Sequence, residues 1–327
     1  MEFRLDEQQL ELQEAVRRFC ADRYAAETLG AREGRPIDRA AWRALAELGI
    51  FGLLVPEADG GLGLGTVEGA IAFEQLGAHL VSGPALWTAL AAPCLAGAAR
   101  GDRIVGGVER CAASDEPIVV EHAAEIDALL VLREDGVFAC ARSELPVAAP
   151  LAPLDPLTPV GRFDALPDGT RVGDAREAAR LRLVGTVLCA AMLLGVADAA
   201  LESARRHALA REQFGVPIGS FQAIQHVLAD MYVRTALARS ATWAAAAVLD
   251  DPDLGDPAGA SDAAKLLAGE AAVENARAAI QVHGGIGFTW DMLPNYLLKR
   301  AWVLENAFGS SDSHATALGA ALEAASA

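Results

Sequence analysis

Residues 211–222, REQFGVPIGSFQ, hold the side chains best suited to chemistry in this sequence. Arg211 and Glu212 carry opposite charges, and Gln213 and Gln222 add amide groups among apolar neighbours. Polar groups at a packed corner need hydrogen-bond partners. Core packing alone does not require such a composition, so the stretch indicates a binding or catalytic role.

Two long helical patterns must position this stretch. Apolar residues recur at helical spacing through residues 188–200 and again through residues 224–236. Gly215 and Pro217 interrupt the pattern, which predicts a helix–loop–helix corner. Ser220 is expected to be the N-cap of the second helix.

The C-terminal part as a whole is predicted to be a four-helix bundle. Helical periodicity favours long helices at roughly 176–211, 221–250, 258–283 and 292–324. A polar Asp/Pro/Gly turn at 250–257 separates the second helix from the third. Four helices joined by short turns are typical of a bundle.

The first hundred residues are predicted to be helical as well. Leu10 and Val16 belong to an apolar stripe on a first helix, a second helix is expected over 38–49, and a third over 67–80. The run GGLGLG at 60–65 looks like a phosphate-binding loop, but such a loop follows a strand in a βαβ unit. Both flanks here have helical patterns. We therefore interpret it as a loop that lets the backbone approach a neighbouring segment.

The helical period fades in the middle of the chain. Short β-like runs occur at 118–120, 128–132 and 136–140, and Asp135-Gly136 indicates a hairpin. A proline-rich, loop-like segment follows, and we predict a small antiparallel β domain. The expected fold is mainly α, with an N-terminal helical domain (1–100), a reduced β domain (101–175) and a C-terminal helical bundle (176–327).

Composition excludes several classes of partner. The net charge of −17 argues against nucleic acid and against anionic membrane surfaces. Gly185, Gly195 and Asp198 interrupt the longest apolar run, so we expect no membrane span. The first residues show no basic stretch followed by an apolar run, so we expect no signal peptide. The cysteines lack C-x-x-C spacing, which favours a reducing cytoplasm and no metal site. They are Cys20, Cys94, Cys111, Cys140 and Cys189.

Two motifs carry a resemblance to the acyl-CoA dehydrogenase family. REQFGVPIGSFQAIQHVLADM, from Arg211, resembles the family's helix-to-helix corner, and QVHGGIGFTWDMLPNYLLKRA, from Gln281, resembles its second motif. Both stand in the family's order, and GLLVPEADGGLG resembles its N-terminal helical domain. The resemblance implies removal of an α-proton from an acyl-CoA, transfer of the β-hydride to FAD, and an electron-transfer flavoprotein as acceptor.

The resemblance also assigns residues to FAD. In the family, the matching positions contact the adenosine diphosphate portion of FAD bound on the neighbouring subunit. An arginine fork suits a pyrophosphate, and glycines let backbone N–H groups approach phosphate oxygens. The alternative for the glycine pair is a helix C-cap, and both roles can hold together. The implied cofactor-binding residues are Arg211, Phe214, Gln222, Gln281, Gly284 and Gly285.

Two carboxylates compete for the role of catalytic base. Glu212 directly follows Arg211, where some relatives carry their base, so the resemblance assigns the role to it. The alternative is a surface glutamate, or one ion-paired with Arg211. Glu305 lies four residues before Gly309 and not beside it, so we expect it to be structural. Two further residues, His283 and Arg300, are expected to be structural, with CoA phosphate binding as the alternative for Arg300.

The middle of the chain departs from the family. Full-length relatives carry a Thr-Glu-Pro segment and a Trp-Ile-Ser/Thr strand over the flavin, whereas no tryptophan occurs here between Trp87 and Trp243. The resemblance is strongest to the short subunits of actinobacterial heteromeric acyl-CoA dehydrogenases, several of which act on steroid side chains. It implies an oligomer, either a homo-oligomer or a heterotetramer with a full-length subunit. The alternative is a non-catalytic scaffold subunit that keeps the fold and not the chemistry.

Overall fold

The computed structural model describes residues 4–110 and 117–326, and this part of the chain contains ten α-helices and nine β-strands. The helices are α1 Glu7–Arg23, α2 Leu29–Arg32, α3 Arg39–Glu47, α4 Thr66–Ala78, α5 Ala85–Ala91, α6 Ala175–Ala210, α7 Gln222–Asp250, α8 Pro257–His283, α9 Leu293–Asn306 and α10 Ser311–Ser326. The strands are β1 Val105–Glu109, β2 Ile118–Glu121, β3 Ala128–Arg133, β4 Gly136–Ala141, β5 Ala149–Leu151, β6 Val160–Phe163, β7 Thr170–Asp174, β8 Glu212–Gln213 and β9 Val216–Pro217.

The chain divides into two compact units. The first unit comprises Met1–Ala31, Ala70–Val81 and Thr186–Ala327, and the second comprises Arg32–Gly69 and Ser82–Gly185. The three domains expected from the sequence, with boundaries at residues 100 and 175, stay a prediction.

Alanine and glycine allow the helices of the first unit to pack closely. A Cβ atom at Gly195 on α6 would lie 1.9 Å from the Glu74 carbonyl oxygen on α4, so the two backbones touch there. Helices α7 and α8 pack side by side, and Asn275 joins them because its buried amide donates to the Met231 carbonyl and the Thr235 hydroxyl. The fully buried amide is thus satisfied, as a core position requires.

The second unit contains two sheets. One has the strand order β1-β3-β4-β7 and the other β2-β6-β5. Strand β1 pairs in parallel with β3, whereas the other pairings in the two sheets are antiparallel. The prediction of a purely antiparallel domain is therefore wrong at one strand, because β1 reaches the sheet from α5 and not through a hairpin.

Several local predictions are confirmed. Asp38 caps α3 by accepting backbone N–H groups, and Gly49 adopts φ 91° just after that helix ends. Strands β3 and β4 form the expected hairpin, but its two loop residues are Glu134 and Asp135, since Gly136 already pairs with Arg133. The run at 60–65 is a loop, as interpreted.

Other local predictions are wrong. The pattern at 292–324 predicted one helix, but it forms α9 and α10, because the chain turns at Phe308 and Gly309 with positive φ. The α1 stripe is shifted, since Leu10 is exposed while Val16 and Cys20 are buried.

Among the described residues, α6 is the helix long and apolar enough to cross a membrane, and 83% of its most apolar window is buried, as in a core helix. Cys111 lies outside the described residues; the other four cysteines are free thiols.

Candidate functional site

The first corner, residues 211–222, is a short β-ribbon between α6 and α7. Gln213 pairs with Val216, and Phe214 and Gly215 form the two-residue loop with φ of 53° and 80°. Two positive φ values match the twist of a tight hairpin. A left-handed phenylalanine costs about 1–2 kcal/mol, and its ring is 94% exposed, so the loop holds an aromatic ring in water at a cost in backbone energy.

The polar side chains of the first corner face solvent. Arg211, Glu212 and Gln222 are exposed, and their side chains make no hydrogen bond or ion pair with other described residues. The alternative of an ion pair between Glu212 and Arg211 is therefore wrong, and the assignment of Glu212 as the base stays a prediction. Exposed, unpaired side chains of these types remain available to a ligand.

The start of α7 differs from the prediction. Phe221, not Ser220, is its N-cap, and no side chain caps the helix. The Ser220 hydroxyl instead donates to the Pro217 carbonyl and stabilises the turn before the helix. The Phe221 ring meets the Phe214 ring edge to face, with centroids 6.2 Å apart. These contacts fix the loop and leave the first backbone N–H groups of α7 without a side-chain cap.

The second corner, residues 281–288, begins at the end of α8. Gly284 adopts φ 69° and ψ −150°, and its N–H donates to the Gln281 carbonyl, so the glycine ends the helix as expected. A Cβ atom at Gly284 or Gly285 would have no heavy atom within 4 Å. The backbone here is open to an incoming group, so the cap and the phosphate-approach roles are compatible.

A stacked pair of histidines joins the two corners. The His207 and His283 ring centroids are 4.1 Å apart with an interplanar angle of 24°. His207 lies four residues before Arg211, and His283 directly precedes Gly284. The ends of α6 and α8 therefore meet at one end of the helical unit, and this meeting brings the starts of the two motifs, separated by about sixty residues of sequence, to the same end.

A cavity of about 700 Å³ adjoins the histidine pair within the first unit. Burial lowers the pKa of His207, and the neighbouring His283 and Arg211 add to this effect by electrostatic repulsion. His207 was missed from the sequence because a single histidine in a long helix carries no local signal. The charged and polar side chains around the cavity are Arg17, Tyr24, Glu27, Gln75, His79, Asp198, Glu202, Ser203 and Arg206.

Exposed apolar side chains surround the second corner. Ile286 and Trp290 are each 53% exposed, and Phe288 is 73% exposed. Large exposed apolar side chains that cluster on one surface are typical of a protein interface. The sequence signal was the aromatic run that follows the glycine pair.

Three residues of the C-terminal part have structural contacts, as expected. The buried Arg300 guanidinium donates to the Val81 carbonyl. The Glu305 carboxylate accepts the backbone N–H of Ser311 at the start of α10. His283 is buried and lies 2.8 Å, through Nδ1, from the Ala279 carbonyl oxygen.

The residues present fit the adenosine diphosphate portion of FAD. The unpaired Arg211 guanidinium, the exposed Phe214 ring and the open Gly284-Gly285 pair lie at one end of the unit. They are the kinds of group that bind a pyrophosphate and an adenine ring. Among the described residues, no group of three or more His, Cys, Asp or Glu side chains is placed to hold a metal ion.

Two family models match the chain. The model of the acyl-CoA dehydrogenase C-terminal domain matches residues 183–323, and the model of the N-terminal domain matches residues 6–99. Acyl-CoA dehydrogenase IpdE2 of Mycobacterium tuberculosis is 35% identical over 82% of this chain and 81% of its own length. Acyl-CoA dehydrogenase FadE34 of the same organism is 34% identical over 83% of this chain, which spans 41% of that longer protein.

Solved structures are similar over nearly the whole chain. One chain of the ChsE4–ChsE5 complex from Mycobacterium tuberculosis superposes with a TM-score of 0.85 at 26% identity, covering 99% of both chains. A chain of the Tcur3481–Tcur3483 steroid ACAD superposes with a TM-score of 0.84 at 25% identity, covering 98% of this chain and 99% of that one.

Proposed function

Because this chain belongs to the acyl-CoA dehydrogenase family, we propose that it is a subunit of an FAD-dependent acyl-CoA dehydrogenase that binds the adenosine diphosphate portion of FAD through its two corners. Family membership confirms the mainly α acyl-CoA dehydrogenase fold and supports oxidoreductase chemistry on an acyl-CoA. The observation that carries the proposal is the meeting of both corners at the stacked histidine pair.

Each proposed contact follows from the chemistry of the side chain. Arg211 offers two parallel N–H donors to the pyrophosphate, and the backbone at Gly284 and Gly285 approaches its oxygens. Phe214 offers an exposed ring, and Gln222 and Gln281 offer amides. FAD, when bound, supplies the hydride acceptor.

Glu212 is the proposed base. A general base must come within hydrogen-bond reach of the proton it removes. Its carboxylate is exposed beside Arg211 in the single chain, so a substrate or another subunit must complete the pocket around it. This dependence supports an enzyme that is active only in an assembly.

We further propose a full-length acyl-CoA dehydrogenase subunit as the partner. The exposed rings of Phe288 and Trp290 provide apolar area beside the proposed cofactor corner. The chain lacks the tryptophan-containing strand over the flavin, which a longer subunit would supply. The likeness to a chain of the ChsE4–ChsE5 complex and to a steroid ACAD supports a heteromer acting on a steroid-derived or branched acyl-CoA, with an electron-transfer flavoprotein as acceptor.

The substitution Gly285→Ala tests the cofactor corner. Because the added methyl group meets only open space in this chain, we expect an unchanged melting temperature. A pyrophosphate that approaches the backbone would collide with it, so FAD binding by the chain or its complex should weaken at least about tenfold, or 1.4 kcal/mol. Gly319→Ala, an exposed helical site with the same open space, is the matched control and should bind FAD normally.

Equal FAD affinity for both variants would refute the proposed corner. The visible absorption spectrum separates the remaining cases: a flavin band from the chain alone means that it holds its own cofactor, and a band only after co-purification with a full-length subunit means that the site is shared. No flavin in either preparation would overturn the proposal.

The second candidate function is a non-catalytic scaffold subunit, which the reduced β domain favours. Glu212→Gln in the assembled enzyme distinguishes the two. The proposed base predicts a loss of turnover of about 100-fold or more with FAD still bound, whereas a scaffold role predicts unchanged turnover.

A further inference from the structure

His207 and His283 form the direct link between the two corners. Their rings stack at 4.1 Å, and each lies on the last turns of a helix that leads into a corner. Because a carbonyl oxygen only accepts, the Nδ1–H of His283 donates to the Ala279 carbonyl at 2.8 Å. Nε2 of a neutral His283 is then the acceptor and lies 3.5 Å from the Ser203 hydroxyl on α6.

We propose that His207 and His283 are a positioning pair, whose stacked rings hold the first corner against the second while His207 is neutral and release it when His207 is protonated. The inference rests on the proposed function, in that the two corners bind one cofactor. Neither imidazole touches that cofactor in the proposal; both act through the backbone that carries Arg211 and the glycine pair.

The charges around the pair do not favour the protonation of His207. Asp198 already pairs with Arg239, and Glu202 already pairs with Arg205 and Arg206. The three acidic groups around the pair, Glu27, Asp198 and Glu202, are matched in number by three arginines, Arg17, Arg206 and Arg211. The groups that face it from α1 and the following turn are Arg17, Tyr24 and Glu27. His79 faces it from the end of α4, Asp198, Glu202 and Arg206 face it from α6, and Arg211 faces it from the first corner.

The direction of the pH effect follows from the lowered pKa of His207, which burial, His283 and Arg211 cause in that order. A histidine whose pKa is lower in the folded state binds fewer protons than in the unfolded chain. Its contribution to stability is therefore complete above the ordinary pKa of 6.5 and is lost as the pH falls through the lower, folded value. Mild acid should loosen the junction between the corners.

The substitution His207→Phe tests the pair, because it keeps an aromatic ring against His283 and removes the titrating group. The first readout is amide hydrogen exchange of the full chain without FAD, normalised for the intrinsic pH dependence of exchange. In the unmodified chain, protection of both corners should fall several-fold between pH 7.5 and 5.5. The variant should change less than twofold over the same range. His226→Gln, an exposed site at the start of α7, is the control and should behave as the unmodified chain.

The second readout is the dissociation constant of FAD over the same pH range. It should rise several-fold on acidification in the unmodified protein and stay flat in His207→Phe. Equal pH profiles in the two proteins, with FAD bound, would overturn the positioning pair and leave the proposed function intact. A pH-dependent loss of protection without FAD binding at any pH would overturn the proposed function and leave the pair.

A measurement without substitution covers a variant that fails to fold. The Cε1–H resonance of His207 should titrate below the ordinary histidine value of 6.5 in the unmodified chain, because burial and the neighbouring His283 and Arg211 lower its pKa. A titration of His207 at or above that value would contradict the proposal.

Discussion

The backbone contact between α4 and α6 makes Gly195 a severe test of the fold. A Cβ atom there would lie 1.9 Å from the Glu74 carbonyl oxygen and 2.7 Å from the Ala78 nitrogen. Gly77, on the facing helix, would bring a Cβ atom within 2.0 Å of the Met192 carbonyl oxygen in the same way. Backbone atoms cannot rotate aside as a side chain does. Gly195→Ala must therefore move the helices apart by about 1 Å, the difference between 1.9 Å and the 3.0 Å below which real Cβ contacts essentially never occur.

Two opposing effects set the magnitude. Replacing a helical glycine by alanine gains about 1 kcal/mol of helix propensity, whereas overpacking a tight interior costs about 1–3 kcal/mol and occasionally more. The clash here is with backbone atoms of Glu74 and Ala78, so the cost lies at the upper end of this range and a net loss of about 2 kcal/mol is expected. Gly319→Ala in the exposed helix α10 meets nothing within 4 Å and should gain about 0.5–1 kcal/mol.

Urea unfolding of the full chain, followed by far-ultraviolet circular dichroism, measures both variants. Both substitutions replace a helical glycine with alanine. Opposite signs of the change in the free energy of unfolding therefore separate the effect of the contact with α4 from that of helix propensity. A Gly195→Ala protein as stable as the unmodified chain, beside a stabilised Gly319→Ala, would refute the backbone contact.

Two further predictions concern ion pairs of the first unit. Arg239→Met should destabilise the chain by about 3 kcal/mol in urea unfolding, because Glu74, 3% exposed and 2.9 Å from that guanidinium, then stays buried without its cation; a loss below about 1 kcal/mol would contradict the pairing. The pKa of Glu202 is lowered to about 2, chiefly by its hydrogen bond from Arg205. A lowered carboxylate pKa stabilises above the ordinary value of 4.5, and that stability is lost as the pH falls towards 2. Glu202→Gln should therefore lower the free energy of unfolding by about 0.5 kcal/mol at pH 7, because the pair is partly exposed. It should also reduce the loss of stability between pH 4.5 and pH 2. An unchanged loss of stability over this pH range would show that the ion pair contributes nothing.

The sequence predicted those features of the fold that depend on neighbouring residues. Asp38 and Gly49 mark the ends of α3 because a cap and a left-handed glycine act within one turn. The parallel pairing of β1 with β3 was not predictable in the same way, because it joins Val105 to Ala128 across intervening chain. The break between α9 and α10 was also missed, since a glycine inside a helical pattern is often tolerated.

The candidate site was likewise predictable in part, and the features that depend on tertiary packing were missed. The residue types at both corners indicated a ligand, and the resemblance supplied the cofactor. The stacking of His207 on His283 depends on how α6 and α8 end side by side, which periodicity does not encode. The exposure of Phe214 depends on a two-residue hairpin loop with positive φ at a non-glycine residue, a conformation that residue preferences argue against.

A site shared between subunits requires a rigid support and ligand-binding side chains that stay hydrated in the isolated chain. The backbone contact at Gly195 and the buried amide of Asn275 anchor the helices that carry the corners, using atoms that are satisfied within the chain. Arg211 and Glu212 remain exposed, so folding of the chain alone incurs no cost for desolvating them. In the proposed assembly, Arg211 and Glu212 are desolvated when the subunits associate, and contacts with the cofactor and the partner offset the cost. The stability of the isolated chain should then be independent of FAD, while FAD affinity depends on subunit concentration.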